Sequence, residues 1–194
     1  KYTGENIVTG RIVLADGVNS MGNIVEVVDE LTMDSLTKVY NKKTITEYAS
    51  RLVKQDTVNR ISIAILDIDY FKQVNDRYGH EEGDVCITTI ANAMMYAAKD
   101  GEICIRSGGD EYIVMGKNYS EEKTQNYIRL FREYIDSANA SLNKPYTIGA
   151  SLGYYMGVPD GKRTIENYLK IADDRMYENK KMRKAKSHPG VEVR

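Results

Sequence analysis

Asp67 stands at the end of an isoleucine-rich run, "RISIAILDI" (60–68), and Asp69 follows two residues later. Asp110 and Glu111 come directly after Gly108-Gly109 in "ICIRSGGDEYIV" (103–114). Residues two apart on an extended chain share a face, and a hairpin turning at the glycines brings Asp110 and Glu111 beside that strand end. Three or four carboxylates then converge at one edge of a sheet. Unscreened, two like charges about 4 Å apart repel by roughly 4 kcal/mol at an effective dielectric near 20. A divalent cation removes that cost. An all-oxygen ligand set favours Mg²⁺, which also bridges phosphate oxygens. The glycines are expected to supply positive φ in a tight turn and to let backbone approach a phosphate. Arg106 offers a planar fork suited to phosphate or base. Acidic turns are also common solvated features; the coincidence with Asp67 and Asp69 is what points to a site.

A second polar stretch, "YFKQVNDRYGHEEGD" (70–84), reads as a turn-rich loop carrying Lys72, Asn75, His80 and Asp84. Asn and Asp side chains can read a guanine edge, and Lys72 can meet a phosphate as a point charge. Lys180 and Lys184 share a helix face at i, i+4, although a basic run there also suits a helix C-terminus. His80 and His188 are weaker candidates as catalytic bases, and His188, in the unpatterned tail, is set aside.

The elements that must position these groups follow from periodicity. Asp34 can cap a helix whose apolar face is Ile45, Tyr48, Ala49 and Leu52. Residues 60–68 are short and isoleucine-rich, a buried strand. Ile87, Ile90, Ala91, Met94 and Ala98 form a helical stripe, and the hairpin at 103–115 follows. Tyr127, Leu130, Phe131, Tyr134 and Ala138 mark another helix. "YTIGASLGYYM" (146–156) reads as a strand, and the last helix carries Ile165, Leu169, Ala172 and Met176 inward. Strand–helix–strand–strand–helix–strand predicts an α+β, ferredoxin-like or palm-type antiparallel sheet with helices on one face. Upstream, "ENIVTGRIVLA" (5–15) suits a strand pair or the end of a preceding domain. Met21, Ile24, Val28 and Leu31 give a two-heptad helical stripe, either a dimer seam or a helix on its own domain. The expected organisation is 1–33 as linker or end of a preceding domain with a short signalling helix, 34–186 as the main domain, and 187–194 as a loose tail.

The chain has 194 residues, 42% of them hydrophobic, enough for one core. A net charge of −1 creates no global field for a nucleic-acid polymer or a membrane. No apolar run approaches bilayer length and nothing resembles a signal peptide. Cys86 and Cys104 lie in apolar patterns and read as reduced core thiols. A cytoplasmic location is expected, with a longer parent protein able to be membrane-tethered, since the chain begins at Lys1 without a methionine.

"RSGGDEY" (106–112) resembles the signature of the GGDEF domain, the diguanylate cyclase family, with Tyr112 for the final Phe. "DSLTKVYNKK" (34–43), "LDIDYFKQVNDRYGHEEGD" (66–84), "TIGASLGYY" (147–155) and "ADDRMYENKK" (172–181) resemble further family segments in the same order. The resemblance covers residues 34 to about 184. It implies a nucleotidyl cyclase-like fold that condenses two GTP into cyclic di-GMP and two pyrophosphates. It implies Mg²⁺, with Mn²⁺ as the alternative ion, held by Asp67, the Ile68 carbonyl and Asp110. Glu111 would assist, as a metal ligand or as acceptor of the 3′-hydroxyl proton. Asn75 and Asp84 would bind guanine with His80 beside them, and Leu36 would line that pocket. Lys72, the backbone at Tyr70 and Phe71, Lys180 and Lys184 would hold the triphosphate. A second copy of the domain would be needed, because each domain holds one GTP, and an N-terminal sensor domain is implied in the full chain. The alternative is a silent module that binds GTP or cyclic di-GMP as a sensor. Three departures stand out. Thr37-Lys38 replaces the usual Thr-Gly, Tyr112 adds a hydroxyl that needs a partner, and Lys99 and Glu102 replace the Arg and Asp of the family's product-inhibition motif.

Overall fold

The computed structural model describes residues 33–45, 48, 60–99, 101–160 and 162–187, with side chains through Arg183, and two short strands, β1 (Gly17–Val18) and β2 (Ile24–Val25). The further strands are β3 (Tyr40–Asn41), β4 (Ile61–Ile68), β5 (Ile103–Arg106), β6 (Glu111–Lys117) and β7 (Ala150–Gly157). The helices are α1 (Phe71–Tyr78), α2 (His80–Ala97), α3 (Glu121–Leu142) and α4 (Ile165–Ser187).

β4 is an apolar run because both of its neighbours and both of its faces are covered. The five-stranded sheet has the order β3-β5-β6-β4-β7, and β4 pairs antiparallel with β6 and with β7. Ala64, Leu66 and Ile68 join Tyr112 and Val114 under α1, α2 and α3. Ile61 and Ile63 join Ile105, Ile113 and Met115 under α4 and Ile45. The expected α+β sheet is therefore present, with a strand order that matches the ferredoxin-like arrangement. Two corrections apply. Helices cover both faces rather than one, since a centrally paired strand of this composition has two apolar faces to bury. The edge strand β3 runs parallel to β5, so the sheet is mixed.

The polar stretch 70–84 is not a loop. It forms α1 and the first turn of α2, with only Gly79 between them. Its polarity misled because α1 fully buries only Val74, with Phe71 and Tyr78 half-buried against the core and polar residues on the exposed side. The strand expected over 146–156 begins only at Ala150, because Asn139 claims both the N–H and the carbonyl of Ile148, each at 2.8 Å. Ile24 and Val25, expected in a helix, pair with Gly17–Val18 as strands; both residues are β-branched and follow Gly22-Asn23, which suits a strand better. The rest of the 21–31 stripe, residues 5–15, Ala49, Leu52 and the tail from 188 lie outside the described residues.

α4 crosses the sheet at very short range. A Cβ placed on Gly153 would lie 2.0 Å from the Met176 nitrogen and 2.4 Å from the Ala172 carbonyl oxygen. Only glycine allows that approach. It fixes the helix one turn before Lys180. Cys86 and Cys104 are buried free thiols, as expected, and burial pushes Cys104 up to about 12.

Candidate active site

β4 ends between two turns, and its last residues meet both. Asp67 lies opposite Glu111 on β6 and opposite Ser151 on β7. The Ile68 N–H donates to the Asp110 carbonyl at 3.1 Å, which fastens the acidic turn to β4. Asp67 and Asp110 are thereby brought together, as the sequence predicted. Burial first, and then the negative charge of Asp67, push the Asp110 carboxyl above the ordinary aspartate range. On its other side Asp67 accepts from Lys180 Nζ at 2.5 Å.

Asp69 does not join them. The strand stops at Ile68, so the alternation that would have put Asp69 on the face of Asp67 ends there. The Ser151 hydroxyl donates to Asp69 Oδ1 at 2.6 Å, and Arg183 lies 3.4 Å from Oδ2. Neither Ser151 nor Arg183 was singled out in the sequence; the spacing of Arg183 from Lys180, i, i+3 on one helix, was the available signal.

The turn itself corrects one expectation. Neither Gly108 nor Gly109 adopts positive φ; among the described glycines only Gly79 and Gly101 do. The Ser107 and Gly108 N–H groups both converge on the Glu111 carbonyl, at 3.0 and 3.3 Å. A Cβ at Gly108 would come within 3.2 Å of Glu111 Oε2, whereas one at Gly109 would meet nothing. Arg106, read in the sequence as a fork for phosphate or base, makes contacts within the protein. It reaches the Gly109 carbonyl at 2.8 Å through Nη2 and the Gly108 carbonyl at 3.2 Å through Nε. Through Nη1 it reaches both Asp34 oxygens, at 3.2 and 3.3 Å. Asp34 in turn accepts from the Thr37 N–H and hydroxyl, so it ties a turn to the hairpin instead of capping the following helix. Near that helix start it is Asn41 Oδ1 that receives the Lys43 N–H. Burial opposes the charge of Asp34, but Thr37 and Arg106 outweigh it and hold the carboxyl below its ordinary range.

The chain leaves β4 through Tyr70, whose φ of 58° makes it a left-handed N-cap for α1 with no side-chain hydrogen bond to the helix. The N–H groups of a helix's first turn lack intrahelical acceptors and suit an anion. Lys72 is exposed on that turn. One turn on, Asn75 Oδ1 is buried without a hydrogen-bond partner. It packs where Gly83 has no side chain; a Cβ there would lie 2.0 Å from Oδ1. His80 and Asp84 are exposed at the start of α2, and Leu36 is 38% exposed on the Asp34–Lys38 turn. The side chain of Lys184 lies outside the described residues.

The chain matches the family described as "Diguanylate cyclase, GGDEF domain" over residues 31–186. It belongs to that family. The chain is 27% identical over 150 residues to the diguanylate cyclase DosC of Escherichia coli strain K12, covering 76% of this chain and 33% of DosC. It is 33% identical over 157 residues to the diguanylate cyclase DgcP of the same organism, covering 76% and 44%. The chain thus spans a third to under half of these curated relatives. The GGDEF domain of DgcB from Caulobacter crescentus, solved in complex with c-di-GMP, matches with a TM-score of 0.69 at 25% identity, covering 81% of this chain and 94% of that one. SiaD from Pseudomonas aeruginosa, solved with its activator SiaC, shares the fold with a TM-score of 0.70 at 24% identity, covering 77% and 58%.

Membership makes the three departures interpretable. Tyr112 is fully buried, and its hydroxyl donates to the Ile87 carbonyl at 2.8 Å, the partner that the extra oxygen required. Lys38, where the family usually has Gly, is held at φ 60°, a conformation that costs a side chain roughly 1–2 kcal/mol. Lys99 lies over the Tyr96 ring at 4.3 Å. No helix among the described residues is long and apolar enough to cross a membrane.

Proposed function

We propose that this domain is an active diguanylate cyclase, joining two GTP into cyclic di-GMP with release of two pyrophosphates. The observation that carries the reading is the junction at the end of β4. There the Asp110 turn is tied to β4 next to Asp67, close enough for the two charges to repel, beside a helix N-terminus without a side-chain cap and a lysine from α4. A pair of carboxylates that repel each other at a strand end is a poor structural device and a good receptor for a hard cation. Among the described residues no group of three or more His, Cys, Asp or Glu is gathered for a metal. The donor set proposed here is two carboxylates with the Ile68 carbonyl, and its all-oxygen chemistry fits Mg²⁺, or Mn²⁺ in its place. Such an ion, when bound, would neutralise charge on the phosphates and acidify the attacking hydroxyl.

The chain's own residues do the rest. The first-turn N–H groups of α1 and the Lys72 ammonium bind phosphate oxygens, and Lys180 and Lys184 are assigned the far end of the triphosphate. Asp84 accepts the N1–H and N2–H₂ donors of guanine, with Asn75 and His80 beside it and Leu36 against the base. Glu111 accepts the proton of the 3′-hydroxyl or assists at the metal. Phosphoryl transfer asks for positioning and charge neutralisation above all, and these residues supply both. One domain offers one such set, so two copies must meet face to face, each hydroxyl attacking the α-phosphate held by the other.

Incubation with GTP and Mg²⁺ followed by mass identification of the product tests the reading. Cyclic di-GMP is the expected product. Bound but unconverted GTP would replace the cyclase with a silent binding module. Product inhibition through Lys99 and Glu102 is expected to be weak, because lysine lacks the planar fork of arginine and here its ammonium already sits on Tyr96.

A further inference from the structure

Two cations of α4, three residues apart, answer the two aspartates at the end of β4, and they do so on different terms. Asp69 is locked. It accepts from the Ser151 hydroxyl at 2.6 Å and faces Arg183 at 3.4 Å, while its own N–H donates to the Gly149 carbonyl at 2.9 Å. Arg183 is anchored independently, donating to the Ala150 carbonyl at 2.6 Å. Together with the close approach at Gly153, this pins α4 on both sides of Lys180. Asp67 is held differently. Among the described residues its carboxylate is met by Lys180 alone, at 2.5 Å, with side-chain exposures of 23% and 12%. Lysine is a compact point charge on a flexible stem, so the ammonium can leave Asp67 without the helix moving.

Resting on the reading of this junction as a metal-assisted nucleotide site, we propose that Lys180 is a resident countercharge. It closes Asp67 to a free divalent cation and yields it when a nucleoside triphosphate offers phosphate oxygens to the ammonium instead. Metal and nucleotide then enter together, and the empty site is not an open chelate for any hard cation. Arg183 is the positioning residue that keeps the helix in register while Lys180 exchanges partners.

The test is binding of Mn²⁺ alone to the 194-residue chain, read by the electron paramagnetic resonance of the free ion. Wild type without nucleotide should bind weakly. Lys180→Met should bind Mn²⁺ roughly tenfold tighter, the order of effect expected from removing a competing charge at this distance. Lys180→Arg, which keeps the charge, should stay as weak as wild type, and adding Asp67→Asn to Lys180→Met should erase the gain. Lys180→Gln serves if the methionine variant does not fold. Equal affinity in wild type and both neutral variants overturns the proposal. Repeating the titrations with a GTP analogue carrying a non-cleavable α,β linkage separates the two readings. If the analogue tightens Mn²⁺ binding to wild type while the neutral variants show no gain alone, only the countercharge idea falls. If Mn²⁺ binds neither protein even with the analogue, the cyclase reading falls with it.

Discussion

Asp34 and Asp110 are both tied to the Gly108-Gly109 turn, and their surroundings differ in sign. Asp34 has two hydrogen bonds from Thr37 and both oxygens on Arg106 Nη1, and its carboxyl is held low. Asp110 is desolvated beside the charge of Asp67, and its carboxyl is held high. The first cluster is satisfied and stabilises the fold. The second is a desolvated charge beside a like charge and costs stability, a mark of a site poised for a ligand of opposite charge. Two acids in one turn region thus serve opposite ends, and the difference lies in which partners the fold delivers.

The comparison breaks most visibly in activity. Asp110→Ala should lower cyclase turnover by at least about 100-fold, the scale of losing an electrostatic stabiliser, with the far-ultraviolet dichroism unchanged. Turnover near wild type in a folded variant would remove Asp110 from the site.

Next in size is stability. Arg106→Ala leaves Asp34 partly buried without its cation and should cost roughly 2–3 kcal/mol, about 4–12 °C in Tm. An unchanged Tm would mean that the staple is ornamental.

Asp110→Asn should do the reverse and stabilise the metal-free protein by about 1 kcal/mol, after allowing for solvent screening at a half-buried group. The pH dependence carries the same signs. Asp34, with its lowered folded pKa, contributes stability that is present above the ordinary aspartate value and is lost as pH falls through the lowered one. Asp110, with its raised folded pKa, subtracts stability as pH rises from the ordinary value through the raised one. The advantage of Asp110→Asn over wild type should therefore grow with pH across that window. Denaturant titrations from acid to neutral pH check both slopes, and parallel curves for wild type and Asp110→Asn would contradict the repulsion.

The smallest effect expected is at Lys38. Lys38→Gly relieves a left-handed lysine and should stabilise by about 0.5–1 kcal/mol, net of the entropy that glycine adds to the unfolded chain. Because the turn presents Asp34 to Arg106, the gain should vanish in an Arg106→Ala background if the two features act as one unit.

Much of this architecture was legible because burial leaves a periodic trace. Ile87, Ile90, Ala91 and Met94 are buried where the stripe required, and Ala172 and Met176 face the sheet from α4. α1 escaped detection because its stripe, Phe71, Val74 and Tyr78, is only three residues long and is set in an otherwise polar, turn-rich stretch. Asp67 and Asp110 were paired correctly from strand order alone. Asp69 was misplaced, and the contacts of Arg106 went unforeseen, because both depend on Ser151, Arg183 and Asp34, residues 82, 114 and 72 positions away in the chain.

The sequence by itself determined β4, the β5–β6 hairpin and the helices α2 to α4, the family to which they belong, and the acids that stand at the end of β4. These are local properties, written in side-chain type and spacing. Only the tertiary structure decided which acid is paired and which is exposed to repulsion. A carboxylate's state depends on charges and dipoles within a few ångströms, and those arrive from distant segments through packing. Asp67 meets Lys180 across 113 residues because Gly153 lets α4 lie against β7, and no spacing along the chain encodes that contact.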